Sequence, residues 1–159
     1  MKKLAILYSK YTPTIDSIKS HLKDVEIACL NTLEDLSKYD IVADVNFNQT
    51  TEKNIIKVHH SLLPAFDSDE PVRDAILAGV KVTGITFYYT NPKRIITQYP
   101  IFIANASHYD DVERELEYLE QTIYPLVLEK ILNNEQFEIK TLLSKGCSGN
   151  CGGCSSCKH

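Results

Sequence analysis

Short apolar segments alternate with segments of helical periodicity along this chain, and this alternation constrains the fold more than any other feature. Apolar runs that suit strands lie at residues 3–8, 25–30 and 41–47. Between the first two runs, Ile15, Ile18 and Leu22 recur at the spacing of an amphipathic helix. Between the second and third, residues 32–39 are predicted to form a short helix. Because helices separate these strands, we expect a mostly parallel sheet with helices on its faces.

The second half of the chain predicts one more strand, two helices and a hairpin. Strands are predicted at residues 55–60, 80–90 and 95–103, with a short helix before Gly79 and a long helix at residues 110–132. The first of these strands must give way to a loop at Pro64, because proline lacks an N–H and restricts the residue before it. Asp69 can cap the short helix. The short link at residues 91–94 predicts that the last two strands form a hairpin.

The length of 159 residues suits one domain with its own core and is too short for two. We expect residues 1–143 to form this domain and residues 144–159 to form a tail. The formal charge is −4 and the basic residues are scattered, so no nucleic-acid partner is expected. No apolar run approaches the roughly 20 residues that cross a bilayer, and no signal peptide is recognisable. A cytoplasmic protein without a membrane partner is therefore expected.

Four of the five cysteines crowd into the tail, with glycines and serines between them. They are Cys147, Cys151, Cys154 and Cys157. In a reducing compartment this spacing favours an iron–sulfur cluster or a zinc ion over disulfides. The alternatives are a tail whose thiols bind nothing and a transient thiol carrier. A metal-binding tail implies a protein partner for metal or redox exchange, whereas Cys29 is expected to pack as a small hydrophobe.

Lys57 and His59 share one face of the predicted strand at residues 55–60, since side chains alternate along a strand. His60 faces the other side. Ligands of open α/β sheets bind outside the carboxyl ends of the strands. The cation and the imidazole are therefore candidates for a site at this edge.

Residues 59–66, with the sequence HHSLLPAF, resemble the active-site loop of the folate-dependent formyltransferase superfamily. Within that superfamily the chain is most similar to formyltetrahydrofolate deformylases and phosphoribosylglycinamide formyltransferases. Residues 79–86, 95–98 and 123–127 resemble later segments of the same enzymes, so the similarity covers most of residues 4–132. The resemblance implies a reduced Rossmann-like formyltransferase fold with a C-terminal hairpin. It also implies a folate-type ligand such as 10-formyltetrahydrofolate.

The resemblance assigns roles to individual residues. His59 takes the family's donor or proton-transfer position, and Lys57 stands where the family has a catalytic asparagine. Tyr88 replaces a family strand histidine. The candidate catalytic residues are thus His59 and Lys57, and the candidate folate-binding residues are Leu63, Pro64, Thr86 and Tyr88.

The departures from the family bear on activity. The family's catalytic aspartate lies in the loop between the hairpin strands, which is cut here to residues 91–94. Residues 9–14 contain no glycine, although the transferases use a glycine-rich first loop for a phosphate. Lys57 can donate to an oxyanion but cannot accept a proton in its charged form, and no aspartate remains to orient His59. We therefore expect a formyltransferase-like domain that has lost the parent reaction.

Two alternatives stay open at this point. One is a minimal formyltransferase or formyltetrahydrofolate hydrolase that still uses His59. The other is a redox protein, or a metal carrier or sensor, in which the cysteine tail carries the function. Whether the chain is an enzyme is therefore left open by the sequence.

Overall fold

The computed structural model describes residues 1–49, 51, 53–103, 108–135 and 137. The tail cysteines lie outside the described residues. The strands are β1 (Lys2–Leu7), β2 (Val25–Leu30), β3 (Ile41–Asp44), β4 (Ile56–His59), β5 (Val82–Thr90) and β6 (Lys93–Phe102). The helices are α1 (Pro13–His21), α2 (Pro71–Leu77) and α3 (Tyr109–Leu132).

The six strands form one sheet in the order β2-β1-β3-β4-β5-β6. The first four strands in this order pair in parallel, whereas β5 runs antiparallel to both β4 and β6. The predicted α/β fold, with a mostly parallel sheet that ends in a hairpin, is therefore confirmed.

The predicted helix at residues 32–39 is wrong, because this segment forms turns and irregular chain. Leu36 and Tyr39 are buried. Their carbonyl oxygens, however, accept hydrogen bonds from Lys53 Nζ at 2.5 and 2.6 Å. Both carbonyl groups lie in the last four residues of the predicted helix, where a helix leaves carbonyls without an internal partner, so the distant lysine binds the segment in its irregular form.

The core lies on both faces of the sheet. On one face, α1 and α3 pack on a cluster that includes Leu4, Ile6 and Tyr124. On the other face, Ala5 and Leu7 pack among residues of the connections that precede and follow β3. The central strand β1 is therefore apolar at consecutive positions, as strands covered on both faces are.

Gly84 in β5 allows a close approach at the hairpin. A Cβ atom at this position would lie 2.2 Å from the Tyr99 carbonyl oxygen and 2.6 Å from Leu62 Cδ2. The lack of a side chain therefore lets β5 pack directly under the loop that follows β4. In the part of the chain that the structure describes, no helix is long and apolar enough to span a membrane.

Candidate functional site

A cavity of about 700 Å³ opens where β3 and β4 end. We call it the His59 cavity. Side chains from β4, from the segments after β3 and before α2, and from α3 line it; they include Asn46, Lys57, His59, His60, Asp69, Glu70, Glu113 and Glu120. The cavity lies at the carboxyl ends of parallel strands, where ligands of open α/β sheets bind. Both candidate catalytic residues are thus in one cavity.

A backbone carbonyl orients the His59 ring. His59 Nε2 lies 2.9 Å from the Phe66 carbonyl oxygen. Because a carbonyl oxygen only accepts, we assign the ring proton to Nε2, which leaves Nδ1 of the neutral imidazole as an acceptor. Phe66 has a φ of 52°, in the left-handed region. The loop after β4 therefore supplies an orienting partner for the imidazole.

Lys57 is held by a buried carboxylate at the end of β3. Its Nζ lies 3.3 Å from Asp44 Oδ2, and the side chains are 21% and 4% exposed, respectively. Asp44 Oδ1 accepts the Phe47 N–H at 2.7 Å. Within the described residues Oδ2 accepts no hydrogen bond, so Lys57 compensates this oxygen by charge and not by an aligned bond. The Lys57 ammonium group therefore lies in the same cavity as His59, and the buried Asp44 carboxylate offsets its positive charge.

A second carboxylate lies near His59, in the loop that follows it. Asp67 Oδ2 accepts from Lys93 Nζ at 2.6 Å. This hydrogen bond lowers the pKa of Asp67, and the nearby charge of Lys93 lowers it further. Lys93 also lies 5.6 Å above the Tyr88 ring, and burial raises the pKa of Tyr88. The shortened hairpin link thus holds Asp67 through Lys93.

Thr86 fixes the loop after β4 from beneath. Its side chain is fully buried. The hydroxyl donates to the Ser61 carbonyl at 2.6 Å and accepts the Leu63 N–H at 3.0 Å. Gln98 Nε2 donates both to this hydroxyl at 3.0 Å and to the Leu63 carbonyl at 2.8 Å. Thr86 and the buried Leu63 therefore hold the loop to β5 through hydrogen bonds and are not open to a ligand. Pro64 is exposed on the loop.

Strand register brings the candidate residues together. Lys57 pairs with Tyr88, and His59 pairs with Thr86, across β4 and β5. Sequence reasoning missed Asp44, Asp67 and the Phe66 carbonyl. An aspartate at the end of a buried strand was the available signal for Asp44, whereas a backbone carbonyl leaves no signal in the sequence.

A smaller cavity of about 390 Å³ adjoins the first. We call it the first-loop cavity, since residues 10–12 between β1 and α1, with the first two residues of α1, line it. Four residues line both cavities: Val45, Asn46, His60 and Glu120. His60 Nε2 lies 2.8 Å from Glu120 Oε2. This pair therefore stands between two connected spaces.

The described residues contain no group of three or more His, Cys, Asp or Glu side chains that could hold a metal ion. The predicted ligands Cys147, Cys151, Cys154 and Cys157 lie outside those residues. Cys29 is a free thiol that is partly buried, and this burial raises its pKa.

Residues 14–128 match the family model described as "Formyl transferase". The chain is 40% identical over 84 residues to the phosphoribosylglycinamide formyltransferase of Bacillus subtilis, a match that covers 49% of this chain and 42% of that protein. It is 32% identical over 108 residues to the formyltetrahydrofolate deformylase of Escherichia coli K12, which covers 64% of this chain and 38% of that protein. The chain thus spans less than half the length of these curated relatives.

Solved structures have the same fold. The phosphoribosylglycinamide formyltransferase from Campylobacter jejuni superposes with a TM-score of 0.70 at 20% identity, covering 82% of this chain and 97% of that one. A formyltetrahydrofolate deformylase from Pseudomonas syringae gives a TM-score of 0.70 at 17% identity, covering 84% and 62%. At these sequence identities, the structural similarity shows the fold alone.

Proposed function

The chain belongs to the formyl transferase family, and from this premise we propose that it binds a folate-type one-carbon compound in the His59 cavity without carrying out the family's reaction at a comparable rate. The observation that carries the proposal is the ion pair between Lys57 and Asp44. It puts a neutralised ammonium group where the family has an asparagine amide.

The chemistry of formyl transfer explains why this change matters. Transfer to an amine or to water passes through a tetrahedral intermediate, which needs donors for the oxyanion and a group that moves protons. His59 Nδ1 can take a proton, but Lys57 is drawn towards Asp44 at 3.3 Å. Removing one oxyanion donor costs about 10²–10³ in rate, and removing a general acid or base costs about 10²–10⁴. We therefore expect any residual activity to be slow and to depend on His59.

Ligand binding needs fewer precisely placed chemical groups than catalysis does. The His59 cavity, at about 700 Å³, has the volume of a small-molecule site. None of the four predicted folate-binding residues is among the side chains that line this cavity. Thr86 and Leu63 hold the loop beside it in shape through hydrogen bonds. A folate-type compound such as 10-formyltetrahydrofolate is therefore the ligand that we propose.

The test combines binding with turnover. Purified full-length protein should bind a non-hydrolysable folate analogue in calorimetry, and His59→Ala should weaken this binding. His21→Ala is the matched control, because His21 pairs with Glu129 away from both cavities. Incubation with 10-formyltetrahydrofolate should release the formyl group slowly at most, and His59→Ala should remove any such release. The proposal would be contradicted if the analogue does not bind, or if the wild-type protein releases the formyl group rapidly in a His59-dependent reaction.

A minimal enzyme is the second candidate. Asp67 directly follows Phe66, whose carbonyl oxygen contacts the His59 ring, so its carboxylate lies on the loop that orients the imidazole. In this reading, Lys57 replaces the asparagine as oxyanion donor and Asp67 replaces the hairpin aspartate. Loss of formyl release in Asp67→Asn would favour this candidate, provided that the wild-type protein turns over.

For the tail we propose metal binding through Cys147, Cys151, Cys154 and Cys157. Their spacing and the intervening glycines support an iron–sulfur cluster or a zinc ion. A metal at the tail would give the protein a redox, carrier or sensing role with a protein partner, alongside the ligand of the His59 cavity.

A further inference from the structure

An apolar strip of surface lies between α3 and the edge strand β6. Because α3 packs over β5, the side of β6 that faces the helix is only partly covered. Ile96 and Tyr99 of this strand, and Ile103 just after it, pack against the core and stay partly exposed. On the helix, Leu126 is 44% exposed. We call this strip the α3–β6 groove, and an uncovered apolar strip beside a core suits the docking of another segment.

Phe137 occupies the end of the groove near the start of β6. Its side chain packs against the core and lines a cavity of about 510 Å³ together with Ile96 and Ile131. Lys130 Nζ lies 5.6 Å from the centroid of the Phe137 ring. Leu126 precedes Lys130 by one helical turn and therefore lies on the same side of α3. The chain that follows Phe137 thus starts inside the groove.

The next six residues, 138–143, have the sequence EIKTLL, in which Ile139, Leu142 and Leu143 are large and apolar. Residues 144–159 contain no apolar side chain larger than that of cysteine. The apolar content of the chain therefore ends at Leu143. Six extended residues span about 20 Å, which is also the length of β6 beyond its first turn of chain beside Phe137. The segment has both the apolar content and the reach to cover the groove.

A seventh strand at the outer edge of β6 is not the arrangement that we expect. The helices α1 and α3 lie on the same face of the sheet, and the crossover from β1 through α1 to β2 is expected to be right-handed. Since β2 and β6 lie at opposite ends of the sheet, a parallel strand beyond β6 that follows α3 would make a left-handed crossover. Pro100 also removes an N–H group from β6. Packing in the groove avoids both problems.

We propose that residues 138–143 fold back along α3 and cover the α3–β6 groove with Ile139, Leu142 and Leu143. Because β5 runs antiparallel to both β4 and β6, the segment would run towards the end of the sheet at which β4 delivers His59. The cysteine tail would then leave the domain at the end where the His59 cavity opens, and not at the end of α3. This inference depends neither on the folate-type ligand nor on a metal.

Limited digestion of the full-length protein with trypsin tests the docking. Trypsin cleaves after Lys140, inside the segment, and after Lys145, just beyond it. In reduced protein treated with a chelator, cleavage after Lys140 should be at least about tenfold slower than cleavage after Lys145, because a docked segment must open before the protease can bind it. Equal rates at the two sites would overturn the proposal. Protection that grows with protein concentration would assign the groove to a second copy and would also overturn it.

A variant in the groove identifies where the segment docks. Leu126→Ser removes an apolar contact and should speed cleavage after Lys140 about fivefold, with the rate after Lys145 unchanged. Leu33→Ser is the matched control, because Leu33 is 48% exposed and follows β2 at the opposite edge of the sheet. It should change neither rate. No acceleration in Leu126→Ser, or an equal one in Leu33→Ser, would contradict the proposal. The two wild-type rates decide the question even if a variant does not fold.

Discussion

Lys57 Nζ lies 3.3 Å from Asp44 Oδ2, and the two residues differ sharply in burial. Asp44 sits at the end of β3 with almost no contact with solvent, while Lys57 on β4 borders the His59 cavity. A buried carboxylate whose outer oxygen accepts no hydrogen bond in the described structure depends on this ammonium for compensation. The pair therefore behaves as a unit, and Lys57 should not be replaceable while Asp44 keeps its charge.

Lys57→Asn alone should destabilise the protein by about 3 kcal/mol, the lower end of the range for breaking a buried pair, because Lys57 is partly exposed. The substitution leaves Asp44 charged and uncompensated. The double variant Asp44→Asn/Lys57→Asn should recover most of this loss. Urea denaturation of both single variants and the double variant measures the coupling. Strictly additive free energies of unfolding would contradict a paired unit.

Thr86→Val should destabilise the protein by about 1–3 kcal/mol, because it leaves the buried Leu63 N–H without its acceptor. Thr83→Val on the same strand is the matched control. The Thr83 hydroxyl is buried without a hydrogen-bond partner in the described structure. This substitution should therefore be neutral or stabilising. Equal losses in the two thermal unfolding curves would contradict the role of Thr86 in holding the loop.

The ion pair of Asp67 and Lys93 should make a small, acid-sensitive contribution to stability. The folded-state pKa of Asp67 is lowered, so the contribution is present above the unfolded pKa of about 3.9 and is lost as pH falls through the folded value. Both side chains are more than half exposed, which limits the contribution to about 1 kcal/mol or less. NMR titration should give the Asp67 carboxyl a higher pKa in Lys93→Met than in the wild type. An equal rise in Lys81→Met, which changes an exposed lysine just before β5, would argue against a specific pair.

Protein purified without oxygen, or reconstituted with iron and sulfide or with zinc, should contain metal bound by the tail. Replacement of Cys147, Cys151, Cys154 and Cys157 by serine should abolish it, whereas Cys29→Ser should retain it. Metal and sulfide analysis, together with visible absorption, separates a cluster from zinc. Equal metal content in the wild type and the four-serine variant would refute the prediction.

Local patterns predicted the strands and long helix well, because apolar periodicity reports directly on burial. The predicted runs around β1, β2 and β4 coincide with the strands to within a residue or two, although only β1 is mostly buried. The failure at residues 32–39 has a different origin. There, the chain is irregular, and Lys53 of a later segment donates hydrogen bonds to the carbonyl oxygens of the buried Leu36 and Tyr39. No local window contains that contact.

Only the part of the candidate site that lies on β4 and in the family motif after it could be predicted from the sequence. His59 and Lys57 follow from strand alternation and from the motif. Asp44 and Asn46 required knowledge that β3 lies between β1 and β4, since their partners are far apart in the sequence. Contacts between strand ends depend on sheet order, and sheet order is a property of the whole chain.

The unequal burial of Lys57 and Asp44 also restricts the order in which mutation can install or remove the pair. A lysine that appears first can extend its ammonium towards the cavity and stay hydrated. An aspartate that appears first would be trapped, charged, at the end of a buried strand. A lineage that starts with uncharged residues at both positions would therefore acquire Lys57 before Asp44. A lineage that loses both charges would have to lose Asp44 first. A lineage that carries both residues is thus hindered from regaining an asparagine at position 57 by a single step.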